Sequence, residues 1–251
     1  VNLNDDGIDD LIAAWEAPDS SLSLFLLHPD RTLRIPVNNK IIQSNGEQKR
    51  IFVRGGDFDG DEQDEFVVAF IDETMKINLL LFDSHGTKDP ELVATMNDED
   101  LSGNSSNKYR FDITTGDLDN DGDDEIALLS YDDDNDPEYE NGMYVKIYNV
   151  EGETIIPGAK SILMTENEIT NNEFSLLEIV LSITTLSPQA SQAEMLAAAL
   201  TTIHNASPNY PDTWLMALKV SPGLDKLVFD NSKMIEDYNN PNYLPPLSLA
   251  S

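Results

Sequence analysis

Three short segments of the chain concentrate oxygen-bearing side chains at one repeated spacing. They read Asn2-Leu-Asn-Asp-Asp-Gly-Ile-Asp-Asp10, Asp57-Phe-Asp-Gly-Asp-Glu-Gln-Asp-Glu65 and Asp117-Leu-Asp-Asn-Asp-Gly-Asp-Asp-Glu125. Each places an oxygen donor at positions 1, 3, 5 and 9. Such a segment can wrap a hard cation: three side chains approach from one side, the main-chain carbonyl of position 7 adds a fourth ligand, and the last carboxylate closes the shell. The candidate ligands are therefore Asn2, Asn4, Asp6, the Ile8 carbonyl and Asp10 in loop one. Loop two offers Asp57, Asp59, Asp61, the Gln63 carbonyl and Glu65, and loop three Asp117, Asp119, Asp121, the Asp123 carbonyl and Glu125. Ca²⁺ takes six to eight oxygens at flexible angles, whereas Mg²⁺ demands a near-ideal octahedron, so calcium is the expected ion. A single Asp/Asn/Gly cluster is as readily a polar turn. Three copies in register, each followed by an apolar run, favour the cation reading.

The copies are not equivalent. The side-chain ligands of loop one carry a formal charge of −2, and those of loops two and three −4 each. Lower ligand charge predicts weaker binding at loop one. Position 6 is Gly7 and Gly122 in loops one and three, as a tight turn with positive φ requires, but Glu62 in loop two. Keeping a left-handed conformation there costs roughly 1–2 kcal/mol. Loop three is thus expected to bind best.

The elements that must hold these loops are legible on either side of them. Residues Arg50 to Arg54 and Tyr109 to Ile113 precede loops two and three. Phe66 to Phe70 and Ile126 to Leu129 follow them, and Leu11 to Trp15 follows loop one. These β-branched and aromatic runs predict strands. Further strands are predicted at Ile77 to Phe82, Glu91 to Met96, Tyr144 to Tyr148 and Lys160 to Met164, with turns at Asp83 to Gly86 and Asn149 to Gly152. An EF-hand would need flanking helices and a glutamate at position 12, which here is Ala13, Val68 and Leu128. Loop starts 55 and 60 residues apart, with four short strands per period, describe the blade of a β-propeller.

On Gly56-Asp-Phe-Asp-Gly-Asp61 with Glu65-Phe-Val-Val, and Gly116-Asp-Leu-Asp-Asn-Asp-Gly122 with Glu125-Ile-Ala-Leu, the chain resembles the FG-GAP/VCBS repeat family, the calcium-loop blades of integrin-α-like propellers. The likeness spans residues 1–164, read as about three blades of four antiparallel strands, the first incomplete because its leading strand would lie before loop one. It implies that each loop joins the first two strands of a blade and that the ion is structural. Glu62, and Glu rather than Asp closing two loops, depart from the pattern. Three blades cannot close a propeller, so the remaining blades are expected from the parent chain or another chain. Such a module belongs in an extracellular, cell-surface or periplasmic protein.

Residues 165–251 carry no fourth ligand pattern. They read as a degenerate blade with a helical insertion or the start of another domain. Phe174 to Ile183 suggests a buried strand. The box Ser191-Gln-Ala-Glu194, followed by Leu196, Ala197, Leu200 and Ile203, predicts one amphipathic helix over 189–204. Trp214 to Val220 and Lys226 to Phe229 predict a hairpin.

Composition bounds the function. Acidic residues outnumber basic ones 47 to 15, for a net charge of −32, of which residues 1–164 carry −25. That charge disfavours nucleic acid, and no basic stripe offsets it. No apolar run is long enough to span a membrane. Cysteine is absent, which removes disulfides, thiol nucleophiles and thiolate zinc sites together. The acidic run Asp132 to Glu140 reads as a solvated loop more readily than as a further ion site. His28, His85 and His204 form no catalytic pattern, the Asn104 and Asn205 sequons are weak signals, and no pair of acids stands out for glycoside hydrolysis. The expected function is a calcium-stabilised propeller module serving adhesion or ligand binding, with a protein or carbohydrate ligand at a propeller rim. The alternatives are the propeller portion of a polysaccharide lyase or hydrolase, and a purely structural spacer.

Overall fold

The computed structural model describes residue 3 and residues 8–28, 31–35, 51–72, 74, 76–84, 89–98, 111–132, 142–165, 174–184, 195–204, 211–220 and 227–236. Outside these lie Asn2, Asn4 and Asp6 of loop one, residues 133–140 of the acidic run, His85, both sequon asparagines and residues 189–194.

The described residues form fifteen strands and no helix. Strands β1 (Leu11–Glu16), β2 (Leu22–His28) and β3 (Arg31–Ile35) make a three-stranded sheet. Strands β4 (Ile51–Gly56), β5 (Glu65–Ile71), β6 (Ile77–Asp83) and β7 (Glu91–Asp98) make a second sheet. A third contains β8 (Phe111–Gly116), β9 (Glu125–Asp132), β10 (Gly142–Glu151) and β11 (Thr154–Thr165). The fourth contains β12 (Phe174–Thr184), β13 (Met195–His204), β14 (Pro211–Val220) and β15 (Leu227–Glu236). In every sheet strand order follows chain order, so each is a simple antiparallel meander. No described helix is long and apolar enough to cross a membrane.

The strands predicted around loops two and three are all present, as are Leu11 to Trp15, Phe174 to Ile183 and the hairpin of β14 with β15. The helix over 189–204 is corrected for residues 195–204, which form β13. Their helical periodicity is real, but propensity is a weak prior. β13 lies between two apolar strands, and its backbone pairs on both sides, with Ile183 opposite Leu196 and Leu196 opposite Leu218. Pairing on both edges outweighs the local preference of an alanine-rich run for a helix.

Contacts divide the chain into two compact units. One comprises residues 1–104 with the segments 122–124 and 149–156; the other comprises 105–121, 125–148 and 157–251. In the first unit the central strands β5 and β6 are buried almost throughout, which explains runs such as Phe66 to Phe70 that do not alternate with polar residues. Phe66 and Phe82 face each other across these strands and stack at 4.8 Å. With Val68, Phe70 and Leu80 they join Leu22, Leu24, Leu26 and Ile35 of the first sheet in one core cluster. The β5–β6 turn is tied by Asp72, whose carboxylate accepts from the Thr74 amide at 2.8 Å, the Thr74 hydroxyl at 2.7 Å and the Asn78 side chain at 2.8 Å. Burial opposes the charge, yet these donors hold the Asp72 carboxyl below the usual range.

The second unit places β12 against β8 and β9. Its third sheet buries Ile126 to Leu129 and most of β10. Lys146 lies over the Tyr148 ring at 5.5 Å and Lys160 over the Tyr144 ring at 4.6 Å, so aromatic faces accompany both cations where they are shielded from water.

Candidate metal centres

Loop two connects β4 to β5 and loop three connects β8 to β9, so each joins the first two strands of its sheet. The strands close directly onto the loop. Gly56 pairs with Glu65, and Gly116 with Glu125, which sets position 9 beside the residue that precedes position 1.

The last carboxylate does more than close a ligand shell. Glu65 Oε2 accepts the Phe58 amide at 2.8 Å, Glu125 Oε2 accepts the Leu118 amide at 2.7 Å, and Asp10 Oδ2 accepts the Leu3 amide at 3.3 Å. The same bond from position 2 to position 9 thus recurs in all three loops. The position 2 side chains, Leu3, Phe58 and Leu118, are fully buried and pin each loop to the hydrophobic interior. The signal for this anchor, an apolar residue at position 2 of every copy, was present in the sequence and went unread.

Within loop two, Asp57 Oδ1 accepts the Asp61 amide at 3.1 Å and Asp57 Oδ2 the Glu62 amide at 3.0 Å. Asp61 Oδ1 accepts the Gln63 amide at 2.9 Å. Loop three repeats the first of these bonds, from the Asp121 amide to Asp117 Oδ1 at 3.1 Å. The turn requires positive φ at two positions in loops two and three. Position 6 is left-handed at Glu62 (φ 70) and has positive φ at Gly122 (φ 107), and position 4 is left-handed at Gly60 (φ 73) and Asn120 (φ 66). Glu62 therefore keeps the conformation expected to be costly, while the demand at position 4 escaped the sequence reading.

The geometry brings candidate ligands together in two groups, Asp57 with Asp59 and Asp61, and Asp117 with Asp119 and Glu125. In each group the ligand atoms lie within 4.8 Å of one another. Glu65 and Asp121 are not part of these groups. Of loop one, only Ile8 and Asp10 are described among its candidate ligands.

Clustered carboxylates in a partly dry site resist ionisation. Burial pushes the Glu65 carboxyl up to about 8, helped by the charges of Asp59, Asp83 and Asp61 and opposed by the Phe58 amide. Burial likewise pushes Glu125 up to about 8, with Asp119, Asp121 and Asp117 adding to the shift. Asp59 is raised by burial and by Asp61. Glu125 is 0% exposed, and its Oε1 is buried without a hydrogen-bond partner, as is Asp10 Oδ1. An all-oxygen donor set with surplus negative charge and an orphaned buried carboxylate oxygen suits a hard divalent cation.

In the first unit, the segment 122–124 approaches loop two closely. The Asp124 amide donates to the Asp57 carbonyl at 2.7 Å. A Cβ on Gly56 or Gly60 would collide with the side chain of Asp124 or Asp123, respectively. A side chain at either position would force those carboxylates to move.

No family model and no curated protein matches the sequence. Among solved structures, the chain is similar to a rhamnogalacturonan lyase PL11 of Bacillus licheniformis, with a TM-score of 0.52 at 13% identity. The likeness covers 85% of this chain and 42% of the lyase, so the chain spans less than half of that neighbour's length. At this identity the likeness is one of fold.

Proposed function

We propose that the chain is a calcium-binding, propeller-type module of an extracytoplasmic protein, its four meanders acting as blades and serving as a scaffold for adhesion or ligand binding. The observation that carries the reading is Glu125: a buried carboxylate with one oxygen held by the Leu118 amide, the other unpartnered, and Asp117 and Asp119 beside it. Asp117, Asp119, Asp121, Glu125 and the Asp123 carbonyl would hold the ion at loop three, and Asp57, Asp59, Asp61, Glu65 and the Gln63 carbonyl at loop two. A bound Ca²⁺ supplies the positive charge that lets these carboxylates ionise together, which couples metal binding to folding. Calorimetric titration of the chelator-stripped chain with Ca²⁺ tests this. Heat that saturates and is reduced in Asp117→Asn supports the reading, whereas no binding and a melting temperature indifferent to EGTA defeat it.

The similarity to a rhamnogalacturonan lyase favours a second reading, in which the chain is the propeller portion of an enzyme acting on an acidic polysaccharide. Incubation with rhamnogalacturonan, followed by ultraviolet absorbance for an unsaturated product, separates the two. Calcium-dependent product formation supports the enzyme, and none supports the scaffold.

A further inference from the structure

We infer that loops two and three bind calcium cooperatively, each raising the other's affinity, because the segment Gly122–Asp124 serves both. The inference rests on the cation reading above. Along the chain this segment is part of loop three. It is bracketed by the candidate ligands Asp121 and Glu125, and its middle residue supplies the Asp123 carbonyl. By its contacts it belongs with loop two, since residues 122–124 group with the first unit. The Asp124 amide donates at 2.7 Å to the carbonyl of Asp57, whose side chain is the first candidate ligand of loop two. The Asp124 side chain lies against Gly56, the residue before that ligand, and the Asp123 side chain against Gly60, between the candidate ligands Asp59 and Asp61. Two consecutive residues of loop three thus touch loop two before its first ligand and between its second and third.

An ion in loop three fixes this segment. The end of the loop is already held, since Glu125 pairs through its backbone with Gly116, and among the described residues its buried Oε1 has no hydrogen-bond partner. Ligands at positions 5, 7 and 9 lie on either side of residues 122–124 and within them, which leaves those residues a single path once the ion is bound. Without the ion, the carboxylates of Asp117, Asp119 and Glu125 repel one another and the path is less restricted. Ordering the segment costs conformational entropy, and that cost is met once for both loops. The coupling must then be reciprocal. Its sign is diagnostic. Through space, neutralising the charge at one loop makes the other less attractive to a second cation, so electrostatics alone would make the two sites anticooperative. Positive coupling requires a mechanical link, and residues 122–124 provide one.

Nuclear magnetic resonance of the whole chain carrying nitrogen-labelled glycine provides the test, because Gly60 reports on loop two and Gly122 on loop three. Calcium is added to the chelator-stripped protein, and the midpoint of each signal is read. Disabling loop three with Asp119→Asn and Glu125→Gln should raise the Gly60 midpoint at least about fivefold, and disabling loop two with Asp59→Asn and Asp61→Asn should raise the Gly122 midpoint by the same factor. Asp124→Gly, which loosens the shared segment and leaves the carboxylate ligands in place, should reduce that factor when added to either background. Three outcomes overturn the inference: midpoints that do not move, midpoints that fall, which would assign the interaction to electrostatics, or coupling undiminished in Asp124→Gly. If neither glycine responds to calcium in the wild type, the cation reading itself falls, and the inference with it.

Discussion

Loops two and three share a fold, a ligand spacing and a formal ligand charge, yet they spend their residues differently. In loop two the grouped carboxylates are Asp57, Asp59 and Asp61, and Asp59 and Asp61 face solvent. In loop three the group includes the fully buried Glu125. Loop two meets its two positive-φ positions with Gly60 and Glu62, loop three with Asn120 and Gly122. Glycine is thus used once per loop but at opposite positions, which shows that the backbone path is the shared requirement. The last carboxylate is buried in both loops, Glu65 as well as Glu125, so what differs is which carboxylates converge.

The comparison can be broken most forcefully at the position 2 anchors. Phe58→Ala should destabilise the chain by about 3–5 kcal/mol and Leu118→Ala by about 2–5 kcal/mol in urea unfolding, since both side chains are fully buried. A loss below about 1 kcal/mol at either would show that the loop is not anchored there. Next, Gly60→Ala should cost about 2 kcal/mol, because the new Cβ is strained at φ 73 and meets the Asp123 side chain. Gly122→Ala meets no neighbour, but φ 107 lies beyond the left-handed region open to L residues, so backbone strain alone should make it costly.

The ligand sets differ in what an amide does to them. Glu125→Gln should weaken calcium binding at loop three by at least about tenfold, equivalent to about 1.4 kcal/mol. Glu65→Gln should weaken loop two less, because Glu65 stands outside the close group there. Equal losses by calorimetry would erase the distinction between the loops. In the opposite direction, Glu62→Gly should stabilise the protein by about 1 kcal/mol, and Asn120→Gly by less, since asparagine tolerates the left-handed region better.

The most conditional effect is the dependence on pH, which shows only with calcium removed. Glu65 and Glu125 have pKa values raised to about 8 in the folded chain, above their ordinary value of 4.5. With calcium chelated, the stability each contributes is complete below pH 4.5 and is lost as pH rises through about 8. The difference in stability between the chelated wild type and Glu125→Gln should therefore shift against the wild type across that window, and saturating calcium should reverse the trend. A difference that is flat with pH would show that Glu125 is not driven towards its neutral form.

Much of this was legible before any coordinates. The runs at Phe66 to Phe70 and Ile126 to Leu129 announced strands because they are β-branched and aromatic, and the loops announced themselves by ligand spacing. The segment that forms β13 carries a helical pattern, because Leu196, Ala197, Leu200 and Ile203 fit a helical stripe, and nothing local reveals that β12 and β14 pair on either side.

The sequence by itself determined the positions of the loops, the oxygen donors they carry and the strands that bracket them, because those depend on residue type and on spacing along one short stretch of chain. Only the tertiary structure decided which carboxylates converge and that Glu125 is sealed from water. Convergence, burial and pairing arise between segments distant in the chain, and local preference carries no record of them.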